Sequence, residues 1–433
     1  MKKLINYLHN DLYLEIVLFV ILVLSFCFEN IVDVFKGYYE ILTSSSILLT
    51  DYVYVGGVGA TLLNVSTTLA FYLILIKILN VKITGPIYSG LIMVIGFSFF
   101  GKNLVNTLPI LFGIWVYTKY KKIPMKSTML SILFSTGLSP LVSYCYFGLG
   151  IDWYYALPLG ILSGAAVGFL IPAYSSHTIV FHEGYNLYNT GFAMGIISAL
   201  FYGLLTLFGH NVKPAALYDA SHSYLFHALL LVLSLAFILI AIITDRGVFK
   251  KYFKMLKTSG RLITDYIRDF SIETVMLNFG ILGIVLWLLS IIFQIPFNGI
   301  IFGSIIAILG CAAFGLHLRN ALYIWIGCSI AIIIRLAVRD GFQFEMDKDM
   351  STIVAFIFAT GLAPIAGKYG ILYGIIGGFM HMVLTPLMIG LQGGFDLYNN
   401  GFSAGFEASI LAVCGEKIFN REKKFNAKKS KNL

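Results

Sequence analysis

Two heptapeptides raise the first chemical question. FGKNLVN (100–106) sets Lys102 and Asn106, and FGLHLRN (314–320) sets Arg319 and Asn320, at the ends of glycine-spaced apolar runs. The two amides offer paired donors and acceptors for a polar solute, and the two cations offer attraction for an anion. Charge in such surroundings is costly enough to be a functional hypothesis by default. A second pair, YNLYNTGF (185–192) and DLYNNGF (396–402), reads as a helix break, because Asn and Gly tolerate left-handed backbone. A helix broken within an apolar layer frees backbone amides and carbonyls for a solute or ion. Tyr188 with Asn189, and Tyr398 with Asn399, would line those breaks. Glu407 stands alone in GFSAGFEASILAVCG (401–415), where a carboxyl can couple to a proton or cation.

Each feature also has a purely structural reading. Lys102 and Arg319 can sit at helix ends and snorkel to water. The Tyr-Asn pairs can be an aromatic belt with helix caps. Asp396 and Glu183 read as solvated loop residues. Asp51 and Asp265, both in TDY, read as N-caps ahead of apolar segments.

The elements that must position these residues are membrane helices. Of 433 residues 58% are hydrophobic and 12% charged, with a mean hydropathy of +0.86. A soluble domain carries about 25% charge. That excludes a soluble enzyme, a disordered regulator and an ordinary nucleic-acid binder; the solvent for most of the chain is lipid. A span needs roughly 20 apolar residues. Candidate segments fall near 12–28, 53–79, 84–101, 103–119, 128–147, 155–174 and 185–208. A second series falls near 223–243, 271–294, 298–315, 320–338, 351–366, 368–392 and 400–415. The first follows Lys2 and Lys3 without a cleavage motif and reads as a retained helix. Lysine and arginine at 119–126, 246–261 and in the 417–433 tail mark those stretches, with both termini, as cytoplasmic; the mixed loop 335–349, with Glu345 and Asp347, reads as outside. The expected location is the cytoplasmic (inner) membrane, with Lys250–Lys257 against anionic lipid.

Shifting the chain by 214 residues aligns 34–113 with 248–327 without a gap, and about two dozen of those pairs are identical. LTSSSILLTDY faces LKTSGRLITDY, Asn64 meets Asn278, Gly96 meets Gly310, and Asn106 meets Asn320. TGLSP (136–140) then faces TGLAP (360–364), and the two Tyr-Asn breaks face each other. Chance gives about a tenth identity for such a composition. Seven segments separate each element from its copy, and an odd number reverses the orientation. The expected fold is an all-α integral membrane protein of two inverted-topology repeats of about seven segments each, 12–14 transmembrane or re-entrant helices. The repeats are read as 1–220 and 221–416, followed by the basic tail 417–433.

The doubled YNxGF-type, TGLxP and LxTDY elements resemble a family of uncharacterised bacterial multispan membrane proteins with a duplicated domain of unknown function. The resemblance covers roughly 34–413 and implies no activity or site residues. Urea transporters share only the idea of inverted halves. No HExxH, Walker, Rossmann or GxSxG pattern occurs, so no catalytic residue, metal or cofactor is expected. The five cysteines show no ligand spacing. Inverted repeats are a hallmark of secondary transporters, with the site between the repeats. The expected function is secondary transport of a small polar solute or ion, an anion being one option, and not enzymatic. A passive channel is the alternative, and an intramembrane lipid enzyme a weaker one. No nucleic-acid partner is expected; a homo-oligomer is compatible with the sequence.

Overall fold

The computed structural model describes residues 2–210, 212, 215–340 and 349–429. Glu345 and Asp347 of the mixed-charge loop and Lys431 of the tail lie outside the described residues. The first repeat comprises α1 (Lys2–Leu24), α2 (Ile31–Leu42), α3 (Tyr52–Gly56), α4 (Val58–Ile78), α5 (Gly85–Phe97), α6 (Leu104–Lys121), α7 (Met129–Ser135), α8 (Ser139–Ser143), α9 (Trp153–Phe181) and α10 (Asn189–Leu207). The same order returns as α11 (Ser223–Thr244), α12 (Val248–Met255), α13 (Tyr266–Asp269), α14 (Ile272–Ile292), α15 (Gly299–Gly310), α16 (Leu318–Asp340), α17 (Met350–Phe358), α18 (Ala363–Tyr369), α19 (Ile371–Ile389) and α20 (Asn399–Lys429). Helix occupies every one of the expected apolar segments. Among the described residues, 9 helical stretches are long and apolar enough to cross a bilayer. The amphipathic stretches ahead of each TDY form α2 and α12, with Phe35 and Tyr39, and Phe249 and Phe253, turned outward.

At the centre lie the short helices α5 and α15. The thirteen residues of α5 reach about 20 Å, less than the roughly 30 Å of a hydrocarbon core. They cross each other closely because glycine faces backbone: a Cβ on Gly96 would lie 2.4 Å from the Gly303 carbonyl oxygen, and one on Gly310 2.8 Å from that of Ser89. Residue 89 thus meets 310 and residue 96 meets 303, so α5 runs antiparallel to its own copy. A two-fold axis across these helices relates the repeats, which is the inverted arrangement.

The N-termini of both short helices are held by the opposite repeat. Gly85 N donates to Asp265 Oδ1 (2.9 Å), and Gly299 N donates to Asp51 Oδ2 (3.0 Å). The same aspartates cap their own helices, Asp51 accepting from Val53 N (2.8 Å) and Asp265 from Arg268 N (3.0 Å). The N-cap role read from TDY is therefore correct and is half of what the residue does. The far ends turn through fully buried loops into α6 and α16, where Asn64 Nδ2 donates to the Ser98 and Lys102 carbonyls and Asn278 Nδ2 to those of Ala312 and Leu316.

One element breaks the two-fold pattern. The linker between repeats lies along 48–51: Leu49 N donates to the Ala215 carbonyl (2.8 Å) and Asp51 N to that of Leu217 (2.8 Å). Leu49 is 9% exposed beneath it, whereas its counterpart Ile263, with no linker to cover it, is 69% exposed.

Replacing Asp51 or Asp265 by Ala removes a cap and orphans a buried amide, so each variant should lose about 2 kcal/mol of stability. Heating detergent-purified protein and following the monodisperse fraction by gel filtration reads the loss; wild-type midpoints in both variants would remove this clamp from the account.

Candidate functional site

The repeated TGLxP motifs receive the two breaks. Leu397 N donates to the Gly137 carbonyl (3.0 Å) and Leu187 N to that of Gly361 (2.9 Å), a reciprocal pair. Only glycine fits there, since a Cβ on Gly137 would lie 2.4 Å from the Tyr398 ring, and one on Gly361 2.6 Å from the Tyr188 ring. Tyr188 donates to or accepts from Thr360 Oγ1 (3.1 Å), and Tyr398 OH donates to Met93 Sδ (3.5 Å). The breaks touch across the two-fold axis, with the Tyr188 and Tyr398 rings 6.4 Å apart and Asn186 Nδ2 donating to the Gly401 carbonyl (2.8 Å).

A cavity of about 350 Å³ ends at this junction. Tyr188, Asn189, Tyr398, Phe134 and Phe314 line its inner part, and Ser127, Ser131, Ser175 and Ser176 its outer part. Both repeats contribute, since Leu262 and Ile263 complete the wall. Ser127 directly follows the lysine-rich loop 119–126 and Leu262 directly follows the basic stretch 246–261, so both basic loops border one mouth. Arg261 ties that rim together: its guanidinium lies over the Tyr185 ring (4.5 Å) and pairs with Glu183 (3.6 Å). On the opposite side the linker lies over Leu49, the counterpart of Ile263.

Behind Tyr398 the wall is aromatic and then charged. Phe97 lies 4.5 Å from Tyr398, and the Lys102 ammonium sits 5.8 Å from the Phe97 ring. Lys102 is fully buried, and its Nζ meets no acceptor. An isolated buried ammonium is among the costliest groups a fold can keep.

Along α20, Asn400, Ser403 and Glu407 share one face. Asn400 Nδ2 donates to Asn399 Oδ1 (2.7 Å), which turns Asn400 Oδ1 toward His381 Nε2 (3.0 Å) and makes that nitrogen the donor, the amide being oriented by this network. His381 Nδ1 then meets Glu407 Oε2 at 2.9 Å, both side chains fully buried. One proton lies between them, as imidazolium with carboxylate or as imidazole with carboxylic acid. Glu407 Oε1, Ser403 Oγ and Thr385 Oγ1, the last one turn after His381, are buried without partners. Among the described residues no three His, Cys, Asp or Glu side chains converge as a metal cluster.

The residues singled out by sequence separate accordingly. Tyr188, Asn189 and Tyr398 line the cavity, the Asn189 amide being tied to Thr178 Oγ1, His182 Nε2 and the Ser175 carbonyl; Asn399 orients the Asn400–His381 chain, Lys102 lies behind Phe97, and Glu407 is buried with a partner. Asn106 and Asn320 are not free amides. Asn106 Oδ1 accepts from Asn103 N (2.9 Å) and its Nδ2 donates to the Gly101 carbonyl (3.0 Å) and Ser143 Oγ (2.9 Å). Asn320 closes its own turn likewise, accepting from His317 N (2.9 Å) and donating to the Gly315 carbonyl (2.9 Å). Turn closure explains why both copies keep them. Arg319 is exposed beside Asn320, one position round the helix from the buried face. Asp396 is fully buried, which corrects its reading as a solvated loop residue. His381 gave no signal by itself in the sequence, where it stands as an isolated histidine. Its signal lies in the matching rarity of Glu407, since two lone polar groups in neighbouring apolar segments can compensate each other.

Residues 30–207 and 244–416 match the model of a family described as "Protein of unknown function (DUF1576)". The chain matches no curated protein and no solved structure.

Asn106→Ala should cost about 1–3 kcal/mol by orphaning buried turn carbonyls and the Asn103 amide, whereas Arg319→Gln should stay within about 0.5 kcal/mol of wild type. Thermal unfolding of both variants checks the ranking, and a neutral Asn106→Ala would return that amide to the solute-binding candidates.

Proposed function

This chain belongs to the DUF1576 family, and from its geometry we propose that it is a secondary transporter of a small polar solute bound between its inverted repeats, with an anion favoured by Lys102. The observation that carries this reading is the cavity at the basic-loop face. It starts at the two basic loops, draws its wall from both repeats, and ends at the two touching breaks, while on the opposite side the inter-repeat linker lies over Leu49. A passive channel needs a continuous path; access from one side at a time is the requirement for coupled transport. The positive-inside rule makes the cavity side cytoplasmic, in the plasma membrane, with both termini on that side. The lysines of α12 would then face anionic headgroups.

In this reading Tyr188, Asn189 and Tyr398 meet the solute, and the serines conduct it from water to the junction. Lys102 offers an amine behind the Phe97–Tyr398 wall that a bound anion would hold protonated. His381 and Glu407 hold one proton beside Asn399 and Asn400, at the start of α20. Displacing that break disturbs the hydrogen bond that orients the imidazole, which links solute access to protonation.

The first test is accessibility. In a Cys27→Ser, Cys414→Ser background, Ser131→Cys should react with a membrane-impermeant thiol reagent from the basic-loop side, and Leu49→Cys should stay protected in the same preparation. Rapid labelling of both from opposite faces at once would favour a channel.

The second test is coupling. A thermal-shift panel of small anions, amides and amino acids identifies a ligand, since a hundredfold excess over Kd stabilises by about 2.7 kcal/mol. Lys102→Gln should abolish the shift for anions. In liposomes carrying a pH gradient, Glu407→Gln should lose accumulation of that ligand while keeping downhill exchange. Normal accumulation by the variant would remove Glu407 from coupling.

A further inference from the structure

The two breaks differ at one atom that matters. A step of 210 residues relates Asn186 to Asp396, Tyr188 to Tyr398 and Gly191 to Gly401. Their local geometry is the same: Tyr188 N donates to Asn186 Oδ1 and Tyr398 N to Asp396 Oδ1, both at 2.9 Å. The contact between breaks is reciprocal, since a Cβ on Gly191 would meet the Tyr398 Cβ at 2.6 Å and one on Gly401 the Tyr188 Cβ at 2.8 Å. In the first break the second side-chain atom, Asn186 Nδ2, donates to the Gly401 carbonyl. Two-fold equivalence puts Asp396 Oδ2 against the Gly191 carbonyl, where an ionised oxygen would face another acceptor. Oδ2 is fully buried and has no hydrogen-bond partner as a carboxylate.

We propose that Asp396 is a proton-binding site: it is held as the neutral acid, its Oδ2–H donating to the Gly191 carbonyl while the breaks touch, and it releases that proton when they part. The site is distinct from His381–Glu407, where the proton already has a partner at each end. The other titratable groups around the junction are Tyr398 on the same segment, Tyr188 across the axis with His182 behind Asn186, Tyr72 and Cys311 near the two tyrosines, Tyr144 against Phe395 (5.3 Å), and Lys102, next to Gly101 at the Leu397 contact. None donates to Oδ2. Proton occupancy rests on this geometry alone; its use in coupling rests on the function proposed above.

Infrared spectroscopy of the full chain in lipid at neutral pH tests occupancy without any solute. The wild-type spectrum should contain a protonated-carboxyl C=O band that Asp396→Asn removes and Glu407→Gln leaves in place. Asp396→Asn should also keep the wild-type thermal midpoint, because it recreates the Asn186 arrangement, while Asp396→Leu should lower it. A spectrum in which Asp396→Asn removes no protonated-carboxyl band would overturn the proposal. So would a carboxylate band assigned to Asp396 that moves on adding Na⁺, which would make the site one for a metal cation. An Asp396→Asn variant as unstable as Asp396→Leu would count against it equally.

Discussion

The fold depends on where the backbone amides of two short helices find acceptors in an apolar layer. A helix leaves its first N–H groups unpaired, and lipid offers them nothing. In α5 and α15 the answer comes from the opposite repeat, through Asp265 on Gly85 and Asp51 on Gly299. Neither short helix is complete within its own repeat. The repeats are therefore locked by hydrogen bonding as well as by packing, and the antiparallel crossing at Gly96 and Gly303 follows from holding each helix at the far end of the other.

Around that axis the two copies satisfy one another reciprocally. TGLxP receives the break of the other repeat, asparagine closes each hairpin turn, and glycine admits the facing tyrosine. Such symmetry alone would make two equal approaches to the centre. The chain has one linker, however, and it lies over Leu49 and not over Ile263. Side-chain chemistry is unequal as well: Glu407 answers to Ile197, Asp396 to Asn186, and Lys102 to Leu316. Lys102, Asp396 and Glu407 thus lie where the copies differ.

Much of the fold was legible because membrane helices announce themselves by long apolar runs and duplication announces itself by register. The alignment of 34–113 with 248–327 pairs α4 with α14 and α5 with α15 residue for residue. The candidate site was legible in part. Tyr188, Asn189, Tyr398, Lys102 and Glu407 stood out as polar groups in apolar text. Asn106 and Asn320 stood out for the same reason and turned out to close turns, since a repeated asparagine is equally what a repeated hairpin requires. His381 and Asp396 looked ordinary in sequence; burial gives both their meaning, and His381 finds a partner in Glu407 of another segment.

Sequence by itself determined the solvent, the helical segments, the duplication and its inverted sense, because these depend on composition, local period and the parity of spans. Tertiary structure alone decided which polar groups are paired and which approach is open. Asp265 reaches Gly85 from 180 residues away, Asn186 reaches Gly401 from 215, and the linker reaches Leu49 from the far end of the repeat. Hydrogen bonds act over about 3 Å in space whatever the distance along the chain, so the state of a buried polar atom is fixed only when the fold brings its neighbour to it.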